Sequence, residues 1–121
     1  TKQKLKVSEE NQLKKSIIHI DVAKLKQPDE FLKSVHRFRA LGAGALSLAY
    51  TALGAFEASI DIYGIAKVWD VAAGTLLVEE SGGMVTDLKG KKYTPKMKIT
   101  IASNGHIHGQ LLQLIHTVCH P

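Results

Sequence analysis

The stretch Val68-Trp69-Asp70-Val71-Ala72-Ala73-Gly74-Thr75-Leu76-Leu77-Val78-Glu79-Glu80-Ser81-Gly82-Gly83-Met84-Val85-Thr86-Asp87 decides the fold class. Val68 to Ser81 is rich in Ala, Leu and Val and reads as a buried helix, stopped by Gly82-Gly83. Met84 to Asp87 reads as a strand that runs into a turn at Lys89-Gly90. A helix followed at once by a strand is the repeating unit of an α/β protein.

The same alternation continues in both directions. Upstream, Phe56 to Ile62 alternates well enough for a strand, and Gly42 to Leu53 reads as a buried helix closed by Gly54. Arg39 to Leu41 is a short extended link or strand. Pro28, with Asp29 and Glu30 behind it, opens a helix that is expected to reach Phe38. Ser16 to Val22 is short and β-branched, which predicts a strand. The first fifteen residues are lysine-rich and weakly patterned, as in an edge segment or a frayed terminus. Downstream, Ile99 to Ala102 predicts a strand, Ser103-Asn104-Gly105 a turn, and His106 to Cys119 a last helix. The expected fold is α/β: a layered α-β-α sandwich with a mixed, mostly parallel sheet and helices on both faces.

The 121 residues make one expected domain, 1–121, large enough to bury a sizeable core. A hydrophobic fraction of 45% and a charged fraction of 22% exclude a largely disordered, collagen-like or disulfide-stapled chain. No apolar run approaches the roughly 18 residues needed to span a bilayer, so no membrane partner is expected. Thr1-Lys2-Gln3-Lys4 lacks an apolar signal region, and the single Cys119 cannot close an internal disulfide. A reduced, cytoplasmic setting is the expectation. The net charge of +5 comes from the first third, where residues 1–40 hold ten Lys/Arg and five Asp/Glu. Those lysines come singly or in pairs, without an Arg cluster or interleaved aromatics. They read as a solvated surface rather than a nucleic-acid interface.

Candidate chemistry gathers around Asp70. An aspartate at a helix mouth serves either as a cap for the first N–H groups or as a hard oxygen ligand for a divalent cation. In α/β sheets the helix mouths beside strand ends are also where ligands bind. Asp61, Tyr63 and Lys67 fall between a strand and the Asp70 helix, so they share its rim or form a solvated loop. Gly42, Ala43 and Gly44 follow Arg39 at a strand-to-helix junction. There small residues permit either close ligand approach or tight helix packing, and Arg39 can clamp an anion or remain an ordinary surface residue. Glu79 and Glu80 lie at the far end of the Asp70 helix, and Asp87 is expected to support the turn before Gly90. His106, His108, His116 and His120 read as surface residues. The chain has no Walker loop, nucleophile elbow, paired-Cys motif or dinucleotide fingerprint.

Trp69-Asp70-Val71-Ala72-Ala73-Gly74, followed by Leu77-Val78-Glu79-Glu80-Ser81-Gly82-Gly83, Val85-Thr86-Asp87 and Ala102-Ser103-Asn104-Gly105, resembles the C-terminal half of the inositol monophosphatase family of metal-dependent sugar and inositol phosphatases. Arg39-Ala40-Leu41-Gly42-Ala43-Gly44-Ala45-Leu46 is similar to that family's Arg-x-x-Gly-Ser/Thr-Ala helix start, and Leu5-Lys6-Val7-Ser8 to the opening of the half. The resemblance implies an αβαβα fold and Mg²⁺-dependent hydrolysis of phosphate monoesters, with two or three metal ions. It implies that Asp70 is a metal ligand and that Gly42, Ala43 and Gly44 face the substrate's ring. The family's acidic sugar contact lies some seven residues before the metal aspartate. Tyr63 stands at that spacing here and Asp61 is the nearest carboxylate, while Ala43 replaces the usual hydroxyl residue.

The family's Gly-Glu-Glu and Asp-Pro-x-Asp-Gly-Thr motifs are absent, since none of Asp21, Asp29, Asp61, Asp70 and Asp87 precedes Pro or Gly. One carboxylate cannot hold a Mg²⁺ cluster. Two hypotheses follow. In the first, the chain is the C-terminal part of a phosphatase, inactive without an N-terminal half that supplies the metal-binding domain. In the second, it is a truncated, non-catalytic homologue that binds a partner or regulates one. The implied partners are a phosphorylated small-molecule substrate, the missing half and, as in many family members, a second copy in a homodimer.

Overall fold

The computed structural model describes residues 5–21, 25–41, 44–61 and 68–119. A 3₁₀ turn, η1 (Leu13–Lys15), precedes β1 (Ile17–His19), α1 (Pro28–Ser34) and β2 (Arg37–Arg39). Then come α2 (Gly44–Leu53), β3 (Ala58–Asp61), α3 (Val68–Glu80), β4 (Met84–Thr86), β5 (Thr100–Ser103) and α4 (His108–Cys119). The strands form one five-stranded sheet in the order β2-β1-β3-β5-β4. β1 pairs in parallel with β2 and β3, while β5 pairs antiparallel with β3 and β4. The sheet is thus mixed, with its parallel part confined to β2, β1 and β3.

Strand alternation divides the sheet's two faces. Ile18, Ile20, Ala58, Ile60 and Ile101 pack with Phe31 and Val35 of the α1 region and with Leu111 and Ile115 of α4. On the opposite face Val85 and Ala102 pack with Leu48 and Ala52 of α2 and Val78 of α3. The first face has the larger core. The second has the helices that carry the expected site, and their outward sides remain apolar: Leu46, Tyr50 and Leu53 of α2 and Leu76 of α3 are exposed. A helix apolar on all sides is ordinarily covered on all sides.

Several boundaries differ from expectation. α1 ends at Ser34 instead of Phe38, with Val35 already extended (φ −121°, ψ 164°). The amides of His36 and Arg37 turn instead to the Ser16 carbonyl, at 3.0 and 3.3 Å, which begins the β1–β2 pairing. α4 starts at His108, two residues late. The buried Asn104 carboxamide oxygen takes the amides of His106 and Ile107, at 2.9 and 3.2 Å, and holds a turn ahead of the helix. Ser103, expected in that turn, is the last residue of β5. The strand expected to run to Val22 ends at His19.

Residues 5–15 are a packed edge segment and not a frayed one. Val7 is buried and donates its amide to the Ser81 carbonyl at 3.1 Å. Asn104 Nδ2 donates to the Glu10 carbonyl at 2.8 Å. This strap crosses the end of α2 at Gly54, which has φ +86° and would bring a Cβ to 3.0 Å from the Lys6 carbonyl oxygen. Only glycine suits both the conformation and the close approach. The expected turn at Lys89-Gly90 forms on Asp87, whose Oδ1 accepts the amides of Lys89 and Lys91, both at 2.9 Å.

Candidate active site

The three parallel strands β2, β1 and β3 end on one rim of the sheet, at Arg39, His19 and Asp61. Register and alternation place these three residues, with Ser59, on the face that packs against α2 and α3. After these strand ends the chain enters α2 at Gly44 and α3 at Val68. Asp70 is the third residue of α3, in its first turn. The backbone therefore brings Arg39, Gly44, Asp61 and Asp70 to a common edge, at the carboxyl ends of parallel strands where α/β proteins bind ligands. Gly42, Ala43, Tyr63 and Lys67 lie outside the described residues.

Arg39 is exposed, and its guanidinium donates to the Phe38 carbonyl at 2.8 Å. Ser47 and Ser59 share a buried hydroxyl–hydroxyl bond of 2.7 Å, which ties α2 to β3 directly beneath the rim. His19, which sequence reasoning left aside, is a central polar group of this rim. Its Nε2 accepts the Leu41 amide at 3.0 Å, and its ring stacks on Phe56 with centroids 6.2 Å apart. Burial holds its pKa below the usual histidine range, opposed in part by the Asp61 carboxylate. The only sequence signal for it was a histidine inside an otherwise apolar strand.

The remaining histidines divide. His106 and His116 are exposed, as expected. His108 is not a surface residue: it is buried between β4, β5 and α4, with Nδ1 2.6 Å from Ser103 Oγ and Nε2 2.7 Å from Thr86 Oγ1. Its place one turn from Leu111 and Leu112, toward the sheet, decides its burial. His120 lies outside the described residues.

Among the described residues no group of three or more His, Cys, Asp or Glu side chains is arranged to hold a metal ion. Glu79 and Glu80 are at the opposite end of α3 from Asp70, roughly 15 Å along the axis at 1.5 Å per residue. Glu79 is instead 3.7 Å from the Lys92 ammonium. Asp61 and Asp70 have the hard-oxygen chemistry that a divalent cation takes, but two carboxylates are too few for a cluster of ions. Also among the described residues, no helix is long and apolar enough to cross a membrane.

A mixed sheet between two helical layers, with polar groups at the carboxyl edge of its parallel part, defines an α/β protein. The profile of the inositol monophosphatase family matches residues 1–120. A fructose-1,6-bisphosphatase/inositol-1-monophosphatase of Thermotoga maritima is 39% identical over 88 residues, covering 71% of this chain and 33% of that protein. The Nus factor SuhB of Xylella fastidiosa is 52% identical over 68 residues, covering 56% of this chain and 24% of that protein. Among solved structures, the Thermotoga maritima IMPase superposes with a TM-score of 0.84 at 32% identity, covering 95% of this chain and 46% of that one. The inositol monophosphatase from Anabaena gives a TM-score of 0.80 at 28% identity, covering 94% and 48%. The chain belongs to the inositol monophosphatase family. It spans about a third or less of these curated relatives and just under half of these solved chains.

Proposed function

We propose that this chain is the C-terminal, substrate-side part of a Mg²⁺-dependent phosphatase that hydrolyses phosphate monoesters of inositol or sugars. The observation that carries this reading is the rim itself. In a chain of this family, Asp70 in the first turn of α3 shares one sheet edge with Asp61 and the start of α2. In this proposal Asp70 is the metal ligand. Asp61 accepts a hydrogen bond from a substrate hydroxyl, and Gly42, Ala43 and Gly44 present backbone to the ring. Arg39, Tyr63 and Lys67 are further substrate-binding candidates. When bound, Mg²⁺ supplies Lewis-acid polarisation and an activated water. The further carboxylates come from an N-terminal half that is not within residues 1–121. The sequence motifs that would provide them are absent, and the apolar outer face of α2 and α3 suits such a cover. A reduced, cytoplasmic setting and a homodimer belong to the same proposal.

The exposed apolar residues Leu46, Tyr50 and Leu53 of α2 and Leu76 of α3 also support a second reading, a non-catalytic homologue that binds a partner protein. Phosphate release from inositol 1-phosphate and fructose 1,6-bisphosphate, with and without Mg²⁺, separates the two. The chain alone is expected to be silent. Turnover is expected once an N-terminal half with the Gly-Glu-Glu and Asp-Pro-x-Asp-Gly-Thr motifs is supplied, and Asp70→Asn should abolish it. Silence of that reconstituted pair would favour the partner-binding reading. Asp70-dependent turnover by the chain alone would overturn the half-site.

A further inference from the structure

We propose that His19 is a positioning residue, holding the backbone that leads into the substrate-facing start of α2. His19 is the last residue of the central parallel strand, in register with Arg39 on one side and Ser59 on the other. From there its Nε2 reaches 22 positions along the chain and accepts the Leu41 amide at 3.0 Å. Leu41 immediately precedes Gly42. One face of the ring is stacked on Phe56, and Phe56 meets Tyr50 of α2 with centroids 5.3 Å apart. The imidazole therefore ties the segment entering α2 to an aromatic pair that includes α2's own Tyr50. A backbone N–H can only donate, so Nε2 must be the acceptor and the proton of the neutral ring must sit on Nδ1.

That assignment has a consequence for Nδ1. It is buried and has no hydrogen-bond partner among the described residues. A buried donor is unfavourable unless it is paired. A Leu or Phe would fill the same volume without it. What histidine adds at this position is the acceptor that holds Leu41. The imidazole touches no reacting atom in this arrangement, so its part in turnover is indirect and rests on the phosphatase reading above. The tautomer and the Leu41 contact do not.

The test uses the full chain labelled with ¹⁵N. Long-range ¹H–¹⁵N ring spectra near neutral pH should show His19 with a protonated Nδ1 and an unprotonated, hydrogen-bonded Nε2. Amide exchange then compares two variants. In His19→Leu the Leu41 amide should exchange on the order of tenfold faster. In His19→Gln, whose side-chain oxygen can take the place of Nε2, it should return to within about threefold of the parent. The Ile20 amide, bonded to the Arg39 carbonyl at 2.9 Å, should stay protected in both and reports an intact sheet. A protonated Nε2, or a Leu41 amide equally protected in His19→Leu, overturns the proposal. If His19→Leu does not fold, the ring spectrum of the parent chain decides alone. These outcomes do not depend on phosphate release, so a failed phosphatase reading leaves the test intact.

Discussion

At the scale of single residues, the hydroxyl groups around His108 assign its proton. The Gly105 amide donates to Ser103 Oγ at 2.9 Å, leaving the Ser103 hydroxyl hydrogen for His108 Nδ1. The Thr86 hydroxyl donates to the Asp87 carbonyl at 2.8 Å, so Thr86 Oγ1 accepts from His108 Nε2–H. The chain of donors is complete with a neutral ring. A second ring proton would face the Ser103 hydrogen, and burial lowers the pKa of His108 further. Because the folded pKa is depressed, the unfolded chain binds more protons below the ordinary histidine value of about 6.5. The stabilisation is fully present above that pH and is lost as the pH falls toward the depressed folded value. His19 is shifted in the same direction and adds to the effect. Urea unfolding from pH 7.5 to 5 should therefore show a falling midpoint, and the fall should be shallower in His108→Gln. A flat profile for the parent chain would count against the assigned tautomer. Ser103→Ala leaves Nδ1 without its donor and should lower stability by about 1–2 kcal/mol in the same assay at pH 7.5.

At the scale of elements, the contact between α2 and α3 rests on a missing side chain. A Cβ on Gly74 would come within 2.5 Å of Leu48 Cδ1 and 2.7 Å of Leu48 Cβ. The Cβ of Leu48 cannot swing away, so the helices would have to separate. Gly74→Ala is expected to destabilise the protein by about 1–3 kcal/mol, although alanine is the better helix former. A combined Gly74→Ala/Leu48→Ala variant should recover part of the loss, with both read from denaturant midpoints. Element identity was legible in the sequence here. Val68 to Ser81 was expected as a helix and α3 is Val68–Glu80; Gly42 to Leu53 was expected and α2 is described from Gly44. The misplaced helix boundaries, at α1 and α4, lie where another acceptor takes amides that local pattern assigns to a helix. For α1 this is the Ser16 carbonyl, and for α4 the Asn104 carboxamide.

At the scale of the whole molecule, the two faces of the sheet are unequally finished. The α1–α4 side closes over a large core, while the α2–α3 side leaves Leu53 and Leu76 more than half exposed. Surfaces of that kind associate in water, because covering apolar area is favourable. Sedimentation velocity on the chain alone should show concentration-dependent self-association. Leu46→Glu/Leu53→Glu should suppress it while Leu32→Glu, on α1, should not. An equal effect of the α1 variant would mean that general surface charge, not this face, controls association.

Composition and periodicity, taken with the Trp69-Asp70-Val71-Ala72-Ala73-Gly74 motif, were enough for the α/β class, the element order and the family, because each depends on residues close together in the chain. They also pointed to Asp61 and Asp70 as rim carboxylates, since strand ends and helix mouths follow from the element order. The strand order and the division of the sheet into a parallel and an antiparallel part, the burial of His108 between Thr86 and Ser103, and the reach of His19 to Leu41 were decided only by the tertiary structure. Each of these joins residues from separate elements. Whether a histidine is wet or buried depends on what the fold sets against it, and no local pattern carries that information.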